Sequence, residues 1–240
     1  MDEYIAKRVK GAEEDDTALT NDVYFTEEDT VVKVYPKFSL TVLYTMITNI
    51  MAFKPSVITR EDRMRNEVDV KEEIREAGLN APEILYQSDN AIEFEMAPGM
   101  SGFDYLEDCS GENAERLGQK VGEFLPKLHE RGVAIRDFRI SNMLVDHGEV
   151  YLIDHEYSVL EANRVLKWFD YLTLFSSVRQ SSRYKNFKEG FVKETEIGKS
   201  ALICSLFSSL IHAFFIERSI DRVKRVYDSI KVDLRGSEND

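Results

Sequence analysis

Between Ile135 and Asp154 the chain reads Ile-Arg-Asp-Phe-Arg-Ile-Ser-Asn, then two short apolar runs, Met143 to Val145 and Val150 to Ile153, on either side of Asp146-His147-Gly148. Asp and Gly between two β-prone runs make a hairpin turn, because both tolerate the backbone conformations that such a turn requires. A hairpin this short returns the chain on itself, so the residue before its first strand meets the residue after its second. Asn142 is thereby brought beside Asp154. No other stretch constrains the local architecture as tightly.

The remaining sequence is organised around this segment. The spacing of β-branched and aromatic residues predicts antiparallel strands at Tyr4 to Val9, Val23 to Phe25 and Thr30 to Tyr35, the last ended by Pro36, which has no amide to donate to a ladder. An apolar, helical stretch follows from Ser39 to Phe53. Thr59 to Ala77 is a charged helix with Met64, Val68 and Ile74 on its apolar side, and Gly78 is its stop. Glu83 to Tyr86 and Ala91 to Met96 are strands around Ser88-Asp89-Asn90, closed by Pro98-Gly99. Asn113 to Arg131 carries Leu117, Val121, Phe124, Leu125 and Leu128 at helical spacing, and the chain from Leu160 to Val232 is mostly helical in pattern. A β-rich half followed by an α-rich half implies an α+β protein of two lobes with a cleft between them. The boundary falls at residues 1–97 and 98–240, an N-terminal antiparallel sheet plus helix and a mainly helical C-terminal lobe.

Composition limits the function classes. With 240 residues, 43% hydrophobic content, 14 Phe and 11 Tyr, the chain has the apolar area for one globular unit. A formal charge of −13 repels nucleic acid and anionic membrane over most of the surface. Basic residues gather only locally, at Arg179, Arg183, Lys185 and Lys188 and at Arg218, Arg222, Lys224 and Arg225, where a solvated helix face is the simpler explanation. Cys109 and Cys204 match no disulfide framework or zinc spacing, and the first residues have no apolar core of signal type. No run reaches the roughly 18 apolar residues of a membrane span, so a cytoplasmic protein with no transmembrane segment is expected.

The segment around Asp137 carries the chemistry. A carboxylate that orients a hydroxyl, followed by two oxygen ligands for a hard cation that neutralises phosphate charge, is what phosphoryl transfer requires. Asp137, Asn142 and Asp154 supply these in order. Each alone is explained as a turn or cap residue; together, with the hairpin between them, they resemble the catalytic loop and metal-binding segment of the protein-kinase-like superfamily. Further stretches, Arg75-Glu76-Ala77-Gly78, Leu128-His129-Glu130-Arg131-Gly132, Ser141-Asn142-Met143, Tyr151-Leu152-Ile153-Asp154 and Asp170-Tyr171-Leu172, are similar to the small atypical kinase subunit of the tRNA threonylcarbamoylation complex. RIO-type and lipopolysaccharide-type kinases are more distantly similar. The resemblance covers roughly residues 30 to 195.

It implies a phosphotransferase that uses ATP and Mg2+ and moves the γ-phosphate to a hydroxyl acceptor that the sequence does not identify. Asp137 is the implied base. Lys33, within Val31-Val32-Lys33-Val34, is the phosphate-positioning lysine, and Glu67, eleven residues before Gly78, is its helix partner. Asn142 and Asp154 are the implied metal ligands, and the backbone of Glu95, Met96 and Ala97 is the implied adenine contact. Arg139 either neutralises charge on the transferring group or holds the loop through a salt bridge; both stay open.

Three departures bear on activity. Val9 to Asp16 has one glycine and four adjacent acids where a glycine-rich loop is usual, Ile135 stands for the usual His, and His155-Glu156 follow Asp154 in place of Phe-Gly. A pseudokinase or ATPase-type subunit of a larger, tRNA-modifying complex is therefore the alternative, although Lys33, Asp137, Asn142 and Asp154 are all present.

Overall fold

The computed structural model describes residues 2–15, 21–36 and 59–195. The expected helix at 39–53, the segment beyond 195, Cys204 and the second basic cluster lie outside these residues. β1 (Glu13–Glu14), β2 (Asp22–Phe25), β3 (Thr30–Val34), β4 (Ile84–Gln87) and β5 (Ala91–Glu95) form one antiparallel sheet in the order β1-β2-β3-β5-β4. Lys33 sits opposite Val23 on one side and Ile92 on the other, which puts it in the centre of the sheet.

The segment from Tyr4 to Val9 is not a strand. Glu3–Val9 is a helix, α1, whose first turn is capped by the Asp2 carboxylate accepting from the Ile5 amide at 2.8 Å. Ile5 and Val9, four apart and therefore on one helical face, pack against Val32 and Ala91 on the outside of the sheet. Their β-branched character suits a strand, but the available apolar surface favours the helical period. Tyr4 and Arg8, on the same turn spacing, bond the buried Glu93 from above, at 2.7 Å and 2.9 Å.

α2 (Arg60–Ala77) begins in a capping box: Thr59 Oγ1 accepts from the Asp62 amide and Asp62 Oδ2 accepts from the Thr59 amide. It ends where Gly78, at φ +110°, turns the chain through a left-handed conformation. Val70, Ile74 and Ala77 join the main hydrophobic core with Leu117, Val121 and Phe124, so α2 connects the sheet to the helices below.

Beyond β5 come a short strand β6 (Met100–Ser101), α3 (Gly102–Asp108) and α4 (Gly111–Glu130). β7 (Met143–Asp146) and β8 (Glu149–Leu152) form the hairpin, with β6 alongside β7. Its two central residues, His147 at φ +47° and Gly148 at φ +86°, give the paired positive φ of a two-residue hairpin turn. α5 (Arg164–Val178) and α6 (Tyr184–Glu194) complete the described chain. α4 and α6 cross with their backbones nearly touching. A Cβ on Gly118 would lie 2.0 Å from the Phe187 carbonyl oxygen, and one on Gly190 would lie 1.9 Å from that of Glu115.

The architecture is α+β in two lobes, an antiparallel sheet with its helices and a mainly helical second lobe. Among the described residues, no helix is long and apolar enough to cross a membrane. Of the first basic cluster, Arg179 is buried with its guanidinium 5.1 Å from the centre of the Tyr184 ring, and Lys185 lies 3.8 Å from Glu189. It is not a uniform basic face.

Candidate active site

Lys33 is buried on β3 between Val32 and Val34, and its ammonium reaches toward α2. Nζ lies 2.6 Å from Glu67 Oε1, 2.6 Å from Asp154 Oδ1 and 3.6 Å from Glu156 Oε2. Burial disfavours the ammonium, but the carboxylates of Asp154, Glu156 and Glu67 outweigh it and hold the lysine well above its ordinary pKa. Lys33 is therefore charged at any physiological pH. Carboxylate oxygens of Glu67, Asp154 and Glu156 lie within 4.8 Å of one another, a grouping that the lysine neutralises in part.

Asp154 directly follows the last residues of the hairpin and adopts φ +57°, a left-handed conformation that aspartate tolerates better than most residues. Burial opposes its charge, yet the adjacent Lys33 keeps its carboxyl below the usual carboxylate range. Asn142 is set beside this strand end, because its carbonyl oxygen accepts from the Ile153 amide at 2.9 Å. Its side-chain Nδ2 donates to the Asp137 carbonyl oxygen at 3.0 Å. That bond commits the amide nitrogen to the loop and leaves the oxygen as the atom offered outward.

The loop carrying Asp137 is anchored from two sides. Phe138 is fully buried, its ring stacked on Phe124 of α4 at 5.7 Å between centres. From α5, the buried Asp170 carboxylate accepts from the Ile135 amide at 3.1 Å and the Arg136 amide at 2.5 Å, and meets His129 Nε2 at 2.8 Å. Arg136 itself has φ +71°. In the sequence only a resemblance marks Asp170, yet the pattern Leu166, Asp170, Leu174 places a carboxylate at a core position of an apolar helix face. An acid at such a position demands internal partners. Arg139 Nε lies 2.9 Å from Asp137 Oδ1. Burial raises the Asp137 pKa, and Arg139 pulls it partly back.

A cleft of about 460 Å³ runs between the lobes. Lys33, Glu67, Asn142 and Asp154 line one part, while Glu95, Met96 and Ala97 line another together with Val31, Phe94 and Leu144. Asp137 and Arg139 are not among its lining residues and connect to it through Asn142. Asp15, from the acidic, glycine-poor stretch, also faces the cleft.

No family model matches this chain. It is 29% identical over 135 residues to the KEOPS complex subunit Bud32 of Pyrococcus abyssi, a match that covers 55% of this chain and 60% of that protein. To a probable bifunctional tRNA threonylcarbamoyladenosine biosynthesis protein of Methanosarcina mazei it is 26% identical over 166 residues, 69% of this chain and 27% of that protein. The match thus spans less than two thirds of the length of either relative. Among solved structures, WaaP in complex with acyl carrier protein superposes with a TM-score of 0.57 at 16% identity, over 87% of this chain and 91% of that one. APH(2″)-IIa, in a ternary complex with streptomycin and ATP, superposes with a TM-score of 0.57 at 12% identity, over 89% of this chain and 86% of that one.

Proposed function

From the premise that this chain is a member of the protein-kinase-like superfamily, we propose that it is an ATP-dependent phosphotransferase acting on a hydroxyl acceptor, with nucleotide and Mg2+ held in the interlobe cleft. The observation that carries this reading is Lys33, charged and buried, held between Glu67 and Asp154 in a cleft that Asn142 also lines.

The residues present fit both groups. Asn142 and Asp154 offer hard oxygen donors from adjacent backbone positions, the chemistry that Mg2+ selects. Bound there, the ion would neutralise phosphate charge. Lys33 would position the phosphates and Glu67 would hold Lys33. The cleft's apolar walls suit an adenine ring. Its edge is recognised by the backbone at Glu95 to Ala97. The Glu95 amide already bonds the Glu83 carbonyl at 2.9 Å and the Met96 amide bonds that of Asp29 at 3.1 Å. The Ala97 amide has no backbone acceptor among the described residues, so it is the donor assigned to adenine. Asp137 orients the acceptor hydroxyl, and Arg139 steadies Asp137 through the bond described above.

The similarities to a KEOPS complex subunit and to a tRNA threonylcarbamoyladenosine biosynthesis protein favour a second reading, a subunit of a tRNA-modifying complex, in which this site would act as an ATPase. Mg2+-dependent ADP release, measured for wild type and Asp154→Ala with mass spectrometry of the protein afterwards, tests the proposal. Turnover that needs Asp154 supports it, and phosphate retained on a hydroxyl separates transfer from hydrolysis. Equal rates in the two proteins refute it.

A further inference from the structure

The Asp-His-Glu triplet at 154–156 is tied to the first lobe at several points. Asn66 Nδ2 donates to the Glu156 carbonyl oxygen at 2.8 Å, and His155 Nε2 lies 3.0 Å from the Glu67 carbonyl oxygen and 3.3 Å from Glu67 Oε2. The Glu156 side chain is fully buried and accepts from Asn21 Nδ2 at 2.9 Å. Arg63 and Lys33 each approach it to 3.6 Å. Arg63 closes the ring by donating to Asn21 Oδ1 at 3.0 Å.

One carboxylate thus touches the residue before β2, the lysine of β3 and the arginine of α2. Arg63 and Glu67 are one turn apart on α2, so a force that holds Arg63 also sets the azimuth at which Glu67 faces Lys33. A carboxylate so deeply buried is kept in place by the cations around it, and moving the segment would strand Lys33 and Arg63 with less compensation.

We propose that Glu156 is a positioning residue that clamps α2 and β3 to the segment bearing Asp154, so that the Lys33–Glu67 pair stands assembled before nucleotide arrives. The inference rests on the nucleotide-binding reading given above. Without the clamp, only a fraction of molecules holds the assembled pair. The apparent nucleotide affinity falls by that fraction, while saturating nucleotide restores the assembled state. A residue acting on the reacting groups would lower kcat instead.

Two variants of the full chain test this. Glu156→Gln keeps the shape and an acceptor for Asn21 but removes the charge. Asn66→Ala cuts the link from a partly exposed residue, and so serves even where Glu156→Gln does not fold. Both are expected to raise the KM for ATP about tenfold with kcat within about twofold. Hydrogen exchange across residues 60–77 is expected to rise about tenfold without nucleotide and to return toward wild type in saturating ATP and Mg2+. Unchanged exchange in both variants overturns the clamp, and so does a kcat loss at unchanged KM. Absence of turnover in the wild type counts against the proposed function alone, because exchange without nucleotide still decides the clamp.

Discussion

Lys33 Nζ stands 2.6 Å from Asp154 Oδ1, the same distance that separates it from Glu67 Oε1. One ammonium therefore links the centre of the sheet, helix α2 and the end of the hairpin, and it does so inside a group of three carboxylates. Lys33→Met should leave those carboxylates facing one another. The expected cost is about 2–3 kcal/mol, the low end for a broken buried pair because the Asp154 side chain is 35% exposed. Urea unfolding midpoints measure it. With the lysine gone the carboxylates take up protons more readily in the folded state, so the deficit should shrink as pH falls below neutrality.

Asp137 has its pKa raised by burial and partly lowered again by Arg139. In the role proposed for it, Asp137 must be ionised to take the proton of the acceptor hydroxyl, so activity should fall on the acid side at a pH above the ordinary aspartate value. Arg139→Gln removes the lowering influence and should move that acid limb to higher pH. A pH profile of kcat for both proteins checks the sign; a limb that moves to lower pH, or not at all, contradicts the assigned pairing.

The Asp170 carboxylate is the acceptor for two backbone amides of the Asp137 loop. Asp170→Ala would take this carboxylate acceptor away from both buried amides, at about 1–3 kcal/mol each. Chemical denaturation should show a loss of at least about 2 kcal/mol. Among folded molecules, the role proposed for Asp137 makes kcat fall more than nucleotide affinity, because Asp137 sits on the loop that Asp170 anchors and does not itself line the cleft.

Gly190→Ala should destabilise by about 1–3 kcal/mol, since its Cβ would enter the Glu115 carbonyl and force α4 and α6 apart. No residue of either crossing helix lines the cleft, so the KM for ATP should not change. Thermal unfolding and steady-state kinetics on one preparation separate the two effects.

Local rules made much of the fold legible. Thr59 and Gly78 bracket α2 because a cap and a left-handed turn are satisfied within a few residues, and the hairpin follows from two central residues of positive φ. The same kind of rule failed at Tyr4 to Val9, where side chains that suit either period adopted the helical one, since Ile5 and Val9 cover the outside of the sheet. Arg179 belongs by its sequence position to a basic cluster, but it is buried and packs on Tyr184.

The hairpin between Asn142 and Asp154 also shows where sequence stops. Its spacing alone requires that these residues be neighbours, because two short strands joined by a two-residue turn leave no other arrangement. Lys33 and Asp154 are 121 positions apart, Asn21 and Glu156 are 135 apart, and no local propensity relates them. Their contacts exist because the packing of α2 against both lobes brings buried charges to one place, where each must find an opposite charge or a hydrogen-bond partner. The amino-acid sequence by itself determined which groups are present and the hairpin that pairs two of them. Only the tertiary structure brought Glu156 to Lys33 and Arg63, and Asp170 to the amides of the Asp137 loop, because distant buried charges and polar groups meet only through packing.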